Sequence, residues 1–276
     1  MMDVAGLAPI EQTALLTEYA RALDSARAHP ILADPLAGAT VAQIDSDFAS
    51  LGATASVVAL VALRAKMLDE RIRAFIAAHS DAVVVDLGSG FNSALYRVDP
   101  PATVDWYSVD LPAVIALRDA LLPEHASARS VAASVLESTW LELIPATRPT
   151  LIFADGLFAF LDASAVMSVM RDVTGHFASG VLAFNDYGPV SKLNQLMGRL
   201  STSRNANSPH TQWKFAGFKD AHTPELWNPA LQLIEEASGM HRPETRLFPA
   251  GLRVAARLSH RVPAIARKAR IVQYRF

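Results

Sequence analysis

The sequence predicts a doubly wound α/β fold, in which a mainly parallel seven-stranded sheet follows an N-terminal helical extension. Two observations support this prediction. From residue 82 onward, short apolar runs alternate with helix-like segments. The first run, Val83-Val84-Val85-Asp86-Leu87, enters the turn Gly88-Ser89-Gly90, and the second, Trp106-Tyr107-Ser108-Val109, ends at Asp110. A strand, a glycine turn and an acid about 20 positions later are the parts of a nucleoside-binding site.

Composition limits the organisation of the chain. With 276 residues and 51% hydrophobic content, the chain can bury a full core. We predict a helical extension over 1–80 and an α/β core over 81–276, with 190–222 as a lid insertion. The absence of cysteine excludes disulfides and thiolate metal sites, and it fits a reducing compartment.

Charge and hydropathy narrow the function classes. A net charge of −2 argues against a general nucleic-acid binder, since such proteins need a basic surface. No apolar run approaches the ~20 residues of a membrane span, and Asp3 and Glu11 stand where a signal peptide would be basic. We therefore expect a soluble, unprocessed cytoplasmic protein without integral membrane association. The number of subunits stays open, with a homodimer as one candidate.

Hydrophobic periodicity predicts each element in order. Helices are expected over 9–29 and 56–78, and Asp34-Pro35 predicts a turn or helix start between them. Strands are expected at 82–87, 104–109, 129–133, 150–154 and 179–185. Helix-like stretches lie between them at 91–97, 112–122, 135–143 and 163–177. A helix near 223–238, a strand near 244–248 and a final strand at 271–276 complete the prediction.

The C-terminal part is strongly basic. From Arg242 to the end there are nine Arg or Lys residues and one acid, Glu244. The helix expected within 251–268 carries two stripes, an apolar one with Val254, Leu258, Val262 and Ile265 and a basic one with Arg253, Arg257 and Arg261. Pro263 should kink or end this helix. A solvated helix face and a surface for an anionic ligand or a membrane both remain open.

The glycine turn by itself does not identify the cofactor. An NAD site would place a third glycine at position 93, where Ser93 stands, and no Gly-Lys-Ser/Thr follows as in a P-loop. S-adenosylmethionine fits better. Gly88 and Gly90 would allow close approach of its methionine and ribose portions, and Asp110 would accept the ribose hydroxyls. An NAD-dependent oxidoreductase is the weaker alternative.

Several short motifs occur in a fixed order along the chain. They are Asp34-Pro35-Leu36-Ala37, Leu63-Arg64-Ala65-Lys66 with Asp69, Val85 to Gly90, Tyr96-Arg97, Val109-Asp110-Leu111-Pro112, Trp140, Asp155-Gly156-Leu157 and Phe160-Leu161. With this ordered set, the chain resembles the class I S-adenosylmethionine-dependent methyltransferases of the leucine carboxyl methyltransferase group. It is similar in particular to their bacterial branch of O-methyltransferases linked to polyketide tailoring. The resemblance extends from about residue 20 to residue 187.

The resemblance implies a set of cofactor-binding residues. Arg64 matches the arginine that binds the carboxylate of the cofactor's methionine, a task that suits a planar guanidinium. Asp110 matches the acid that binds the ribose. The full set implied or expected at the cofactor is Arg64, Asp86, Gly88, Ser89, Gly90, Asp110, Leu111, Ser134, Val135 and Asp155.

The chain also departs from the family pattern. Ser134 stands where the family has an acid that contacts the adenine, and Asp155 replaces a glutamate. Asn92 and Ala94 replace an aspartate and an arginine after the glycine turn. These changes motivate an alternative function, a weakly active or inactive methyltransferase-like binding or assembly protein.

The predicted reaction is O-methylation of a small, mostly apolar acceptor. Methyl transfer from a sulfonium is an in-line displacement, so the protein mainly positions the acceptor and excludes water. A carboxylate acceptor needs no base, whereas a phenol would benefit from one. The candidates for that base or for substrate contact are Asp155, Asp186, Tyr187, His210 and His222. Apolar residues around the expected lid point to a hydrophobic acceptor: Phe158, Phe160, Met197, Trp213 and Phe215. No metal site is evident, because the carboxylates are spread over separate loops.

Overall fold

A computed structural model gives the structure of residues 2–4, 6–8, 10–188 and 213–276. Most of the expected lid, 190–212, lies outside these described residues, and so do Met197 and His210. No helix in the described part of the chain is both long and apolar enough to cross a bilayer.

Helices dominate the first 80 residues, as predicted. Helix α1 (Thr13–Ser25) and helix α3 (Ala55–Ala78) are joined through the short helix α2 (Ala37–Ala42). Strands β1 (Met2–Asp3) and β2 (Ile44–Asp45) form a small parallel pair. Helix α3 begins where the Thr54 hydroxyl accepts a hydrogen bond from the backbone N–H of Val57. Asp34 accepts hydrogen bonds from two backbone N–H groups, of Leu36 and Ala37, which fixes the predicted turn before α2.

A seven-stranded sheet forms the centre of the fold. Its strands are β3 (Val83–Leu87), β4 (Asp105–Asp110), β5 (Ala128–Ala132), β6 (Thr150–Ala154), β7 (Gly180–Asp186), β8 (Gln232–Ser238) and β9 (Arg270–Arg275). They are ordered β5-β4-β3-β6-β7-β9-β8, and β9 alone of these runs antiparallel to both of its neighbours. This is the topology of the class I methyltransferases, so the predicted fold class is confirmed.

Apolar cores cover both faces of the sheet. Val85 and Ile152 point into one core, and Val84 and Phe153 point into the other. All five positions of β3 and of β6 are buried, which explains why these strands appear in the sequence as continuous apolar runs. Helices α4 (Ala94–Val98), α5 (Pro112–Leu121) and α6 (Ala163–His176) connect the parallel strands. Chain connections leave β3 and β6 in opposite directions, which opens a crevice at their carboxyl ends.

The helix predicted near 223–238 is too long, and the strand predicted near 244–248 is wrong. Helix α7 (Thr223–Trp227) ends before Asn228. Pro229 follows Asn228, and a proline disfavours helical backbone at the residue that precedes it. The segment Gln232–Ser238 is not helical but forms the edge strand β8, paired with β9. The expected strand at 244–248 is a 3-10 segment, Pro243–Leu247. Within the expected helix 135–143, only Ser138–Leu143 is helical, as a 3-10 segment.

The basic C-terminal helix is divided, as Pro263 predicts. Helix α8 (Ala250–Ser259) ends before Pro263, and the proline begins the short helix α9 (Pro263–Ala266). The apolar stripe predicted for this region faces solvent and not the core, because Ala256 and Ser259 occupy the buried face of α8. Val254, Leu258 and Val262 are 52%, 46% and 41% exposed.

Candidate cofactor and substrate site

A cavity of about 660 Å³ lies at the carboxyl ends of the parallel strands. The turns after β3, β4, β5, β6 and β7 line its floor, and α1 and α3 contribute its wall. Of the residues predicted for the site, those lining the cavity are Arg64, Gly88, Ser89, Gly90, Asp110, Leu111, Ser134, Val135, Asp155, Asp186 and Tyr187. The sheet topology therefore brings together side chains from widely separated parts of the sequence.

The backbone conformation and the packing of the turn after β3 both favour glycine at positions 88 and 90. Gly88 and Gly90 adopt positive φ values of 65° and 50°, which side chains rarely tolerate. A Cβ on Gly88 would lie 2.9 Å from Cδ1 of Leu157, and one on Gly90 would lie 3.1 Å from Cβ of Ala14. Ser89 lines the cavity, and its hydroxyl is buried without a hydrogen-bond partner among the described residues. The unpaired hydroxyl fits a bound polar ligand at this turn.

Asp110 presents its carboxylate beside the turn. Its Oδ2 accepts a hydrogen bond from the backbone N–H of Gly90, and its Oδ1 accepts one from that of Leu111, both at 2.7 Å. Burial raises the pKa of this carboxyl, while these two backbone donors oppose the increase. Each oxygen can accept a further hydrogen bond, and Asp110 lines the cavity, so this carboxylate suits two ribose hydroxyls.

Asp86 does not line the cavity, although it was expected at the cofactor. It lies beneath the glycine turn, where its Oδ2 accepts a hydrogen bond from Nδ2 of Asn92 at 3.0 Å. Burial raises the pKa of Asp86 to about 8. Asp86 therefore supports the turn from inside the protein.

Arg118 is a supporting residue that sequence reasoning missed. From helix α5, its Nη1 donates hydrogen bonds to the backbone carbonyls of Gly90 at 3.0 Å and Asn92 at 2.7 Å. Burial lowers the pKa of its guanidinium, and the nearby Asp86 opposes that shift. The only signal in the sequence was an arginine on the apolar face of α5, among Val114, Ile115 and Leu121.

Arg64 projects from α3 into the cavity. Its Nε lies 2.6 Å from Oδ1 of Asp155 in an ion pair, and its Nη1 donates a hydrogen bond to the Tyr187 hydroxyl. Gly156 makes room for the guanidinium, because a Cβ there would lie 3.1 Å from Nη2 of Arg64. Asp155 and Tyr187 thus fix the orientation of the arginine.

Tyr187 also forms part of an aromatic wall. Its ring stacks on Trp213, with ring centroids 4.3 Å apart and planes inclined by 27°. Burial raises the pKa of the Tyr187 hydroxyl, and the positive charge of Arg64 acts in the opposite direction. Trp213 and Tyr187 both line the cavity.

Other candidates for the base are placed differently. Asp186 is buried and forms an ion pair with Arg270 at 2.5 Å, while it also accepts a hydrogen bond from the backbone N–H of Phe218. His222 is exposed, lies within 2.7 Å of Glu225 and is not part of the cavity lining. His210 lies outside the described residues. Ser134 lines the cavity, and its Oγ accepts a hydrogen bond from the backbone N–H of Leu136 at 3.2 Å.

The fold and the glycine turn with its acid define a class I methyltransferase. Residues 14–174, more than half of the chain, match the family model described as leucine carboxyl methyltransferase. The chain belongs to this family, which confirms the resemblance inferred from the sequence.

Relatives found by sequence agree with this assignment. The chain is 36% identical to the tetracenomycin polyketide synthesis O-methyltransferase of Streptomyces glaucescens, over 71% of this chain and 74% of that protein. It is 28% identical to an S-adenosyl-L-methionine-dependent methyltransferase of Gibberella zeae, over 66% of this chain and 67% of that protein. Among solved structures, it is similar to magnesium protoporphyrin IX methyltransferase from Synechocystis PCC 6803 with bound SAH. That similarity has a TM-score of 0.49 at 9% identity, covering 79% of this chain and 86% of that chain.

Proposed function

We propose that the protein is an S-adenosylmethionine-dependent O-methyltransferase that acts on a small, mostly apolar, polyketide-like molecule. The observation that carries this proposal is the convergence of the glycine turn, Asp110 and Arg64 on one cavity of about 660 Å³. These groups match the ribose and the amino-acid carboxylate of the cofactor. The family and the polyketide O-methyltransferase among the relatives support the same reaction.

Residues of this chain would hold the cofactor at both ends. Asp110 would accept the ribose hydroxyls, Ser89 would donate its unpaired hydroxyl, and Arg64 would bind the methionine carboxylate. Ser134 and Val135, which also line the cavity, would contact the adenine. When bound, the cofactor supplies an electrophilic methyl group on a sulfonium. The protein then needs to align the acceptor oxygen and exclude water.

The acceptor pocket is apolar and aromatic. Tyr187 stacks on Trp213, and both residues line the cavity together with Phe160, Leu157 and Leu161. Flat aromatic rings pack well against such a wall. A polyketide-like acceptor, as in the name of the Streptomyces relative, fits this surface.

The acceptor oxygen would react in its anionic form. Asp155 and Asp186 are both held in ion pairs with arginines, so neither carboxylate is free to act as a base. Two lysines line the cavity, Lys214 and Lys268, and neither forms a salt bridge within the described residues. Their charges would favour a carboxylate or phenolate over its protonated form.

Calorimetric titration with S-adenosylmethionine, S-adenosylhomocysteine and NAD tests the proposal. We expect both adenosyl ligands to bind and NAD to bind at least about tenfold more weakly. A methylation assay with polyphenolic and carboxylated aromatic acceptors then separates an active enzyme from a binding protein. Absence of adenosyl-ligand binding at millimolar concentration would refute the proposal.

Three other expectations from the sequence stay predictions. They are the cytoplasmic location, the homodimer and the division of the chain at residue 80.

A further inference from the structure

A second concave site lies on the C-terminal part of the chain. A groove of about 220 Å³ runs between helix α8 and the two 3-10 segments before it, Gly239–His241 and Pro243–Leu247. Five basic or imidazole side chains line it: His241, Arg246, Arg253, Arg257 and His260. None of its lining residues also lines the cofactor cavity.

Helical spacing places three of these five side chains on one side of α8. Arg253 and Arg257 are four residues apart, and His260 follows three residues later, so the three lie on the same face. The ring of His260 stacks on His241, with centroids 4.4 Å apart and planes inclined by 14°. Side chains with nitrogen donors therefore line the groove on both sides, from α8 and from the 3-10 segments.

The arginines of the groove have no acidic partner in the part of the chain that the structure describes. Arg246, Arg253 and Arg257 form no salt bridge to any of the described residues. Arg242, a near neighbour in sequence, behaves differently, because it pairs with Glu70 at 2.7 Å and with Glu244 at 3.4 Å. Glu244 is the one acid between Arg242 and the C-terminus, and it is already engaged. Three uncompensated positive charges at one groove create a strong local attraction for anions.

We propose that this groove binds a phosphate group carried by a ligand other than the methyl donor. Guanidinium groups present paired N–H donors that match the oxygens of a phosphate, and the two imidazoles add further donors. A dianionic phosphomonoester would offset most of the charge of the three arginines. The concave shape selects a compact anion instead of an extended acidic surface.

Calorimetric titration of the full chain with inorganic phosphate, at an ionic strength held constant with chloride, tests the proposal. We compare the double variant Arg253→Gln/Arg257→Gln with the control Arg261→Gln/Arg171→Gln. The control loses the same charge, but Arg261 and Arg171 do not line the groove. All four side chains are exposed, so both variants should fold. We expect the groove variant to bind phosphate at least about tenfold more weakly and the control to change less than about twofold.

Two results would overturn the proposal: the absence of phosphate binding to the unmodified chain, and equal weakening by both double variants. The second would indicate a general effect of net charge. Affinity for S-adenosylhomocysteine gives an independent readout, and it should be unchanged in the groove variant because the two sites share none of the described residues. A parallel loss of cofactor affinity would contradict a separate site.

The source of the phosphate can be distinguished with vesicles. Val254 and Leu258 are exposed on α8 beside the arginines, where they could enter a lipid surface. If the phosphate belongs to a lipid, phosphatidylcholine vesicles containing phosphatidic acid should bind, and both the groove variant and Leu258→Asn should lose that binding. If it belongs to a free metabolite, glycerol phosphate should bind without vesicle binding. Either result, with loss in the groove variant, supports the site.

Discussion

Arg97 binds Asp69 through two hydrogen bonds, from Nε at 2.7 Å and from Nη2 at 2.9 Å. The same guanidinium reaches Asp34 at 2.7 Å and Asn92 at 3.1 Å. Asp34 lies before α2, Asp69 in α3 and Arg97 in α4, directly after the glycine turn. One buried guanidinium therefore ties the N-terminal helices to the glycine turn, which gives three motifs of the family a common structural role.

Removal of one charge from this network should destabilise the protein. We expect Asp69→Asn to lower the free energy of unfolding by about 3 kcal/mol, because Arg97 would keep a buried charge with one carboxylate fewer. Urea unfolding measures the loss. The exposed pair of Arg171 and Asp172 provides the control, and Arg171→Gln should change stability by less than about 0.5 kcal/mol. Similar effects of the two variants would contradict a stabilising network.

The sequence alone was sufficient to predict those parts of the fold that depend on a local pattern of residues. Alternating apolar runs specified the five parallel strands, and the spacing between Gly90 and Asp110 placed both at neighbouring strand ends. Contacts between distant segments could not be predicted from such patterns. Strand β8 forms because it pairs with β9. Asp186 forms an ion pair with Arg270, which lies 84 residues further along the chain. The contact of Arg118 with the glycine turn likewise depends on how α5 packs.

Asp110 should control affinity for the adenosine part of the cofactor. Asp110→Asn keeps the shape of the side chain but replaces one acceptor oxygen by a donor, which cannot serve both ribose hydroxyls. We expect S-adenosylhomocysteine binding to weaken by about 1–3 kcal/mol in calorimetry. Asp119→Asn, an exposed change on α5, is the matched control and should have no effect. Unchanged affinity in folded Asp110→Asn would refute the ribose assignment.

Arg64 should discriminate between ligands with and without the amino-acid carboxylate. We expect Arg64→Ala to weaken S-adenosylhomocysteine by at least about tenfold, because a charge-assisted hydrogen bond is lost. Adenosine lacks that carboxylate and should be nearly unaffected. Arg64→Lys keeps the charge without the planar fork, so its loss should be intermediate. An equal loss for both ligands would show that Arg64 acts elsewhere.

Arg118 should act as a positioning residue. Arg118→Met removes both hydrogen bonds to the carbonyls of Gly90 and Asn92 while keeping an unbranched apolar side chain. The turn would then be less well ordered, so S-adenosylhomocysteine and adenosine should weaken by the same factor, about tenfold. The ratio of the two affinities separates this effect from that of Arg64→Ala. Full affinity in a folded Arg118→Met variant would mean that the turn does not depend on Arg118.

Asp86 should make stability depend on pH between about 4 and 8. Burial raises its pKa to about 8 in the folded protein, whereas the pKa of an unfolded aspartate is about 4. Between these values the folded state holds a proton that the unfolded state has lost, so this group lowers the free energy of unfolding as pH rises, by about 1.4 kcal/mol per unit. Its contribution becomes constant above pH 8. Asp86→Asn is neutral at every pH and can still accept the hydrogen bond from Asn92. The variant should therefore gain stability relative to the unmodified chain when urea unfolding is compared at pH 5, 6, 7 and 8. A difference that stays constant over this range would show that Asp86 is ionised in the folded protein and that the glycine turn rests on a buried charge.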